Sequence, residues 1–382
     1  MAETTKDDLL RALSVIQDPD LGRDIVSLGF VTQHTICDGA VKVTINLTTP
    51  ACPVKDKLKA QAEQVLAALP GVKTVTVEMT AVVKGNSAPR NLAKDIQHII
   101  AVSSGKGGVG KSTVAVNLAC ALARTGARVG LMDCDIYGPD VPMMIGAMGS
   151  PDQRNGKLIP MERHGVKSMS IGYLVDEEKP IVWRGPMVTK LIEQFLSDVE
   201  WGPLDYLLVD MPPGTGDAQL SLAQLVPLSG AVLVTTPQAV STFDVGKAIA
   251  MFKQVQVPLL GIVENMAGYP IEGLVEGAKA GTKVRISTGA VEIETTTDLE
   301  GRFSAVIDVF GRGGAERLAA RHAMPVLGSV PLNPIVRLGG DAGDPVVMSR
   351  PESLAAVRFR EIAGRVAQRI AISAHKALPV LQ

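Results

Sequence analysis

The sequence predicts an α/β protein: a doubly wound parallel-sheet domain preceded by a small α+β domain. Three observations predict it. Apolar runs such as Ile99-Ile100-Ala101-Val102, Leu207-Leu208-Val209 and Ala231-Val232-Leu233-Val234 lack polar alternation, as strands buried on both faces do. Helical stretches separate these runs, so successive strands are joined by crossovers and lie parallel. Between the first run and the helix starting Val114-Ala115-Val116 stands Gly105-Lys106-Gly107-Gly108-Val109-Gly110-Lys111-Ser112-Thr113, which fits G-x-x-x-x-G-K-[ST] in a strand–loop–helix setting.

That third observation makes the larger domain a P-loop NTPase domain. Glycines at 105, 107, 108 and 110 let the backbone curl its N–H groups around phosphate oxygens. The helix N-terminus adds partial positive charge. Lys111 reaches the outer phosphates and the Ser112 hydroxyl binds Mg²⁺, so ATP and Mg²⁺ are the expected ligands of Gly105 to Thr113. Lys106, a second lysine just after the first glycine, resembles the deviant loop of the MinD/ParA/nitrogenase-iron-protein class. That resemblance implies a lysine acting across a dimer interface; the plain alternative is a solvated loop lysine.

Composition narrows the partners. The chain has 382 residues, enough for two domains, and a formal charge of −1, without the basic excess of a nucleic-acid binder. Aromatic residues are 3%, too few for a base-stacking surface. The polar start Met1-Ala2-Glu3-Thr4 carries no signal-type apolar stretch, and no apolar run reaches membrane-spanning length, so a cytoplasmic protein without membrane or nucleic-acid partners is expected. The four cysteines, Cys37, Cys52, Cys120 and Cys134, show no paired spacing and read as thiols, ligands or core residues.

The elements follow in order. Leu9, Leu10, Leu13 and Ile16 give a helix over 4–17, broken by Asp18-Pro19-Asp20-Leu21-Gly22. Val41 to Leu47 alternates as a half-buried strand, 55–69 is a helix stopped by Pro70-Gly71, and 72–79 is a strand. Residues 1–84 thus form the small domain, 85–95 a polar linker, and 96–382 the NTPase domain. Cys52 sits in a loop at a helix start, where backbone dipoles lower a thiol's pKa; it is a reactive thiolate, a metal ligand or an incidental loop cysteine.

In the larger domain, Arg128 to Asp135 reads as a strand ending in acids. Asp135 would orient or deprotonate an attacking water, and Asp133 would support the Mg²⁺ shell. Cys120 and Cys134 read as core. The strand ending at Asp210 runs into Met211-Pro212-Pro213-Gly214-Thr215-Gly216-Asp217, a Walker B acid holding Mg²⁺ followed by a switch loop that senses the γ-phosphate. Asn265, at the end of the strand Leu259 to Asn265, is a candidate for reading the adenine edge. Arg184 is a further candidate, for a partner contact. The helix at about 352–371 carries Leu354, Val357, Ile362, Val366 and Ile370 along one side; a closing helix over the core is preferred to one lying on a membrane.

Taken together, SGKGGVGKST, DCDIYGPDVP, RGPMV, WGPLDYLLVDMPPGTGD, TTPQAVSTFDVGKAIAMF, VPLLGIVENMAGY and GGDAGDPVV resemble the Mrp/ApbC family of iron–sulfur cluster carrier ATPases across nearly the whole chain. The N-terminal stretches DPDLGRDIVSLGFV, LTTPACP and LPGVKTVTVEM resemble a small iron–sulfur assembly domain, in which the cysteine of T-x-x-x-C-P is functional; this makes Cys52 a candidate Fe–S ligand. The resemblance implies a homodimer that hydrolyses ATP and passes clusters to apoproteins, alongside other assembly factors.

One departure stands out. The family carries C-x-x-C after Glu264-Asn265-Met266, and two such pairs bind a [4Fe–4S] cluster across the dimer. Here the chain reads Ala267-Gly268-Tyr269-Pro270, and no cysteine follows Cys134. Thiolates are the usual cluster ligands, so that site is absent in its usual form. An extra stretch at about 271–307 reads as two or three strands. An ATP-gated adaptor without a cluster of its own, using this stretch as a binding surface, is therefore the second reading. A MinD/ParA-type positioning ATPase is disfavoured by the IYGP and PPGTGD segments and the balanced charge.

Overall fold

The computed structural model describes residues 5–37, 39–83, 95–136, 138–175, 185–214, 216, 219–220, 223, 226, 228–289 and 291–376. The linker, apart from Asp95, lies outside them, as do Tyr137, Arg184, Thr215 and Asp217.

The small domain opens with α1 (Lys6–Leu13), started by a capping box between Thr5 and Asp8. The sequence reading carried this helix to 17, but it stops at Leu13. Beyond it, β1 (Gln17–Asp18) pairs with β2 (Arg23–Asp24) around the Asp18–Gly22 turn. A three-stranded sheet follows: β3 (Val31–Cys37) is antiparallel to β4 (Ala40–Leu47), and β4 is parallel to β5 (Thr74–Ala81). The helix α2 (Lys55–Ala67) makes the β4-to-β5 crossover. Period-two burial on β4 puts Val41, Val43, Ile45 and Leu47 on one face. Leu9 and Leu13 of α1 and Leu58, Ala62 and Leu66 of α2 complete that core at helical spacing.

In the larger domain β6 (Ile96–Ser104) enters the loop that leads to α3 (Lys111–Ala123). Then come β7 (Val129–Asp133), α4 (Val141–Ile145), the short β8 (Gln153–Arg154) and β9 (Lys157–Leu158), β10 (Met161–Arg163) and β11 (Val166–Ser170). They are followed by α5 (Gly185–Ser197), β12 (Leu204–Asp210), β13 (Leu228–Thr235), β14 (Leu259–Glu264) and, after an excursion, β19 (Val326–Ser329). The main sheet has the order β10-β11-β7-β12-β6-β13-β14-β19, parallel except for the edge strand β10. The order reverses beside β6, so the crevice at its carboxyl end is where a ligand of such a sheet binds. Every residue of β7, β12 and β13 is buried, which explains their unbroken apolar runs.

The C-terminal helix (Leu354–Lys376) covers the sheet next to α3. Ala355, Ala356, Phe359, Ile362, Ala363, Val366, Ala367 and Ile370 are buried there. It is a closing helix, and among the described residues no helix is long and apolar enough to cross a membrane.

The excursion is a β arm of four strands. β15 (Tyr269–Leu274) pairs antiparallel with β18 (Arg302–Ile307), and β16 (Lys283–Ser287) with β17 (Glu292–Thr296). Two or three strands were expected. The missed one, β15, contains Pro270 and Gly273, residues that argue against a strand but are tolerated where only one neighbour pairs with it. The arm adds little to the core and leaves Leu274, Val291, Leu299 and Val306 exposed.

Candidate nucleotide site

The loop from Gly105 to Gly110 needs its glycines for two reasons. Gly110, at the N-cap of α3, has φ +78°, a left-handed conformation, and a Cβ there would lie 2.3 Å from Asn265 Nδ2. Gly105 has the backbone of Asp244 pressed against it: a Cβ would meet Asp244 C at 2.2 Å. The Ser104 hydroxyl donates to Lys106 O at 2.9 Å and fixes the loop's entry. Lys106 is half-buried, Gly107 and Gly108 are exposed, Val109 is buried, and Thr113 is half-buried on the first turn of α3.

Three strand ends meet the head of α3. Lys111, only 6% exposed, donates from Nζ to Asp210 Oδ1 at 2.7 Å and to Ser112 Oγ at 3.3 Å, and lies 3.6 Å from Asp135 Oδ2. Asp210 ends β12; Asp135 lies just past the end of β7, in a turn, whereas the sequence reading had placed it on the strand. Burial disfavours the Lys111 charge, but Asp210, with Asp135 and Asp133 behind it, outweighs that and holds its pKa above the ordinary lysine value. Burial pushes Asp210 up, against the Lys111 charge that lowers it. Asp210 Oδ2 is fully buried without a hydrogen-bond partner among the described residues. An orphaned carboxylate oxygen beside Ser112 Oγ is a fitting hard-oxygen donor set for Mg²⁺.

Behind this cluster is a contact that sequence reasoning missed. Asp133, fully buried, accepts from Ser170 Oγ at 2.8 Å and from the Asp135 N–H at 3.0 Å. Ser170 ends β11 directly opposite Asp133 in the sheet register. It is a positioning residue: it fixes Asp133, and Asp133 fixes the turn that aims Asp135 at Lys111. Burial first, and the Asp210 charge with it, push the Asp133 carboxyl up. Its position on β11 carries no local motif, and only strand pairing reveals it.

Asn265 is buried past the end of β14, and its Nδ2 donates to Val109 O at 2.9 Å. It clasps the phosphate loop from the end of β14, two strands away from β6 in the sheet. After β12 the chain lies along β6, with Met211 N bonded to Val102 O at 3.0 Å and Gly214 N to Ser104 O at 3.1 Å.

Cys52 is apart from this site. It is half-buried, two residues before Val54, the N-cap of α2. The sequence reading expected dipoles to lower its pKa. Instead burial pushes the thiol up to about 11, against a hydrogen bond at Val54 that lowers it and with Asp18 and Asp20 adding to the rise. Cys120 and Cys134 are buried in the main core, and burial raises both, Cys120 to about 12. Among the described residues no group of three or more His, Cys, Asp and Glu side chains is placed to hold a metal ion.

Two family models match the chain. A family model described as NUBPL iron-transfer P-loop NTPase matches residues 95–297 and 297–367, its break falling inside the β arm. A model described as iron-sulfur cluster assembly protein matches residues 6–79. The chain is 44% identical over 377 residues to an iron-sulfur cluster carrier protein of Synechocystis sp., covering 97% of this chain and 99% of that one. It is 42% identical to the chloroplastic Fe-S cluster assembly factor HCF101 of Arabidopsis thaliana, covering 97% of this chain and 65% of that one. A solved nucleotide-binding protein of Archaeoglobus fulgidus in complex with ADP aligns with a TM-score of 0.50 at 33% identity, covering 69% of this chain and 95% of that one.

Proposed function

This chain belongs to the NUBPL-type iron-transfer P-loop NTPase family, and on that footing we propose that it is an ATP-hydrolysing carrier that delivers iron–sulfur clusters to apoproteins. The observation that carries the ATPase half is the buried set Lys111, Asp210 and Asp135 at the head of α3, with Asp210 Oδ2 left over. The names of the relatives support the delivery half.

The steps follow from the side chains. ATP phosphates enter the loop 105–113, and Lys111 exchanges its bond to Asp210 for the outer phosphate oxygens. Ser112 and Asp210 are then the residues that would hold Mg²⁺, which when bound supplies charge neutralisation to the phosphates. Asp135 orients a water and takes its proton as the water oxygen bonds to the γ-phosphorus and the bond to the ADP oxygen breaks. Asn265 keeps Val109 and its loop in place, next to where the adenine edge would be read. Lys106 reaches the nucleotide of a second copy in a homodimer. Replacing Lys111 by Ala is the test: turnover of ATP at the wild-type rate in that variant would remove the ATPase reading.

The cargo site is less conventional. Ala267 to Pro270 offers no thiol, and Cys120 and Cys134 are sealed in the core. Cys52 is the small-domain candidate, and as one ligand it needs others from a partner or an acceptor. These facts favour the second reading, an ATP-gated adaptor that handles an apoprotein through the β arm. Anaerobic reconstitution with iron and sulfide, beside a Cys52→Ala variant, separates them. A cluster lost with Cys52 supports the carrier; no cluster in either protein supports the adaptor.

A further inference from the structure

Each domain keeps a separate hydrophobic core. From the small domain, Ala51 enters the larger core and Val83 packs at its edge. Ala371 and Ile372 of the C-terminal helix share a pocket with Leu21, Phe30 and Leu47, and hydrogen bonds add to the contact. The Tyr206 hydroxyl, on β12, donates to Thr49 Oγ1 at 2.8 Å, and Gln368 Nε2, on the C-terminal helix, donates to Asp20. Tyr206 is itself held firmly: it stacks on His98 with centroids 5.9 Å apart, and His98 Nδ1 lies 3.1 Å from Ser229 Oγ. The loop Thr48–Pro53 is thus pressed against two rigid elements, β12 and the C-terminal helix.

This docking places the helix beside half-buried Cys52. Gln368, Ala371 and Ile372 of the helix line a cavity of about 20 Å³ with Cys52, Asp18 and Asp20. That is room for about one water molecule. Each hydrogen bond across this contact is of a kind that contributes modestly on its own.

We propose that this contact is a latch. While the Thr48–Pro53 loop is docked, the Cys52 thiol is withheld from any acceptor; release of the small domain from Tyr206 and Gln368 presents it. The inference rests on the delivery reading only for its purpose, since thiol access is measured without ATP or iron.

The four cysteines make the test internal. The full-length protein is treated with N-ethylmaleimide at neutral pH, and labelling of each cysteine is followed by peptide mass spectrometry. Cys37 is exposed and serves as the fast reference; Cys120 and Cys134 are buried and report any general loss of fold. In the wild type Cys52 labels slowly. In Tyr206→Phe and, independently, in Gln368→Ala, its labelling accelerates about fivefold, the factor a lost hydrogen bond carries, while Cys120 and Cys134 stay protected. The latch is overturned if wild-type Cys52 labels as fast as Cys37, if neither variant accelerates it, or if it accelerates only together with Cys120 and Cys134. ATP turnover measured on the same samples reports separately on the ATPase reading, because neither Tyr206 nor Gln368 touches the nucleotide site.

Discussion

Lys111 and Asp210 stand 99 positions apart in sequence, yet the ammonium donates to the carboxylate at 2.7 Å in a site almost closed to solvent. The loop lysine is neutralised by this buried acid. Lys111→Ala therefore does two things. It abolishes ATP turnover, and it leaves Asp210 buried without a counter-charge, a change of the kind that costs about 3–5 kcal/mol. Thermal unfolding beside the turnover assay reads both.

Asp135→Asn keeps the size of the side chain and removes the base. Nucleotide affinity should stay within about twofold while turnover falls by about 10²–10⁴. Equal losses in affinity and turnover would instead make Asp135 a binding residue.

Ser170→Ala removes one hydrogen bond from Asp133, two steps from the substrate. Turnover should fall about fivefold with little change in KM for ATP. A rise in KM at constant kcat would contradict a positioning role acting through Asp135.

Gly110→Ala tests the geometry of the loop. The added methyl meets both a φ of +78° and the Asn265 amide at 2.3 Å. Binding of ADP, measured by calorimetry, should be lost. Asn265→Ala removes the clasp on Val109 without forcing the backbone, and should weaken ADP binding by about fivefold.

The Cys52 profile against pH follows from burial. The thiolate is the reactive form, so a thiol pushed up to about 11 carries less of it at neutral pH than an ordinary cysteine. Labelling of Cys52 should keep climbing about tenfold per pH unit up to about pH 10 in the wild type. In Tyr206→Phe the inflection should move down, because release returns water to the thiol. The readout is the pH at half-maximal labelling.

Much of this was legible before the structure. Continuous apolar runs named the parallel strands because burial on both faces removes any need for alternation, and the phosphate loop was readable because its chemistry is packed into nine consecutive residues, Gly105 to Thr113. What stayed hidden depends on pairs remote in sequence. Ser170 became visible only when β11 lay beside β7. The Tyr206–Thr49 bond links residues 157 positions apart. The Cys52 environment was misread because a local dipole argument cannot know that a helix from the far end of the chain will cover the loop. β15 was missed because its Pro270 and Gly273 obey local rules that a one-sided strand may break.

Tyr206 and Asp210 share the same face of β12, four residues apart, which sets them about 13 Å from each other. One strand thus contacts the thiol-bearing domain at its foot and carries the Asp210 carboxylate at its head. Buried between β6 and β7, it has no freedom to shorten that interval. The arrangement insulates two chemistries that would interfere. On the delivery reading proposed above, iron and sulfide handled near Cys52 would stay clear of the hard oxygens that would hold Mg²⁺ at the nucleotide.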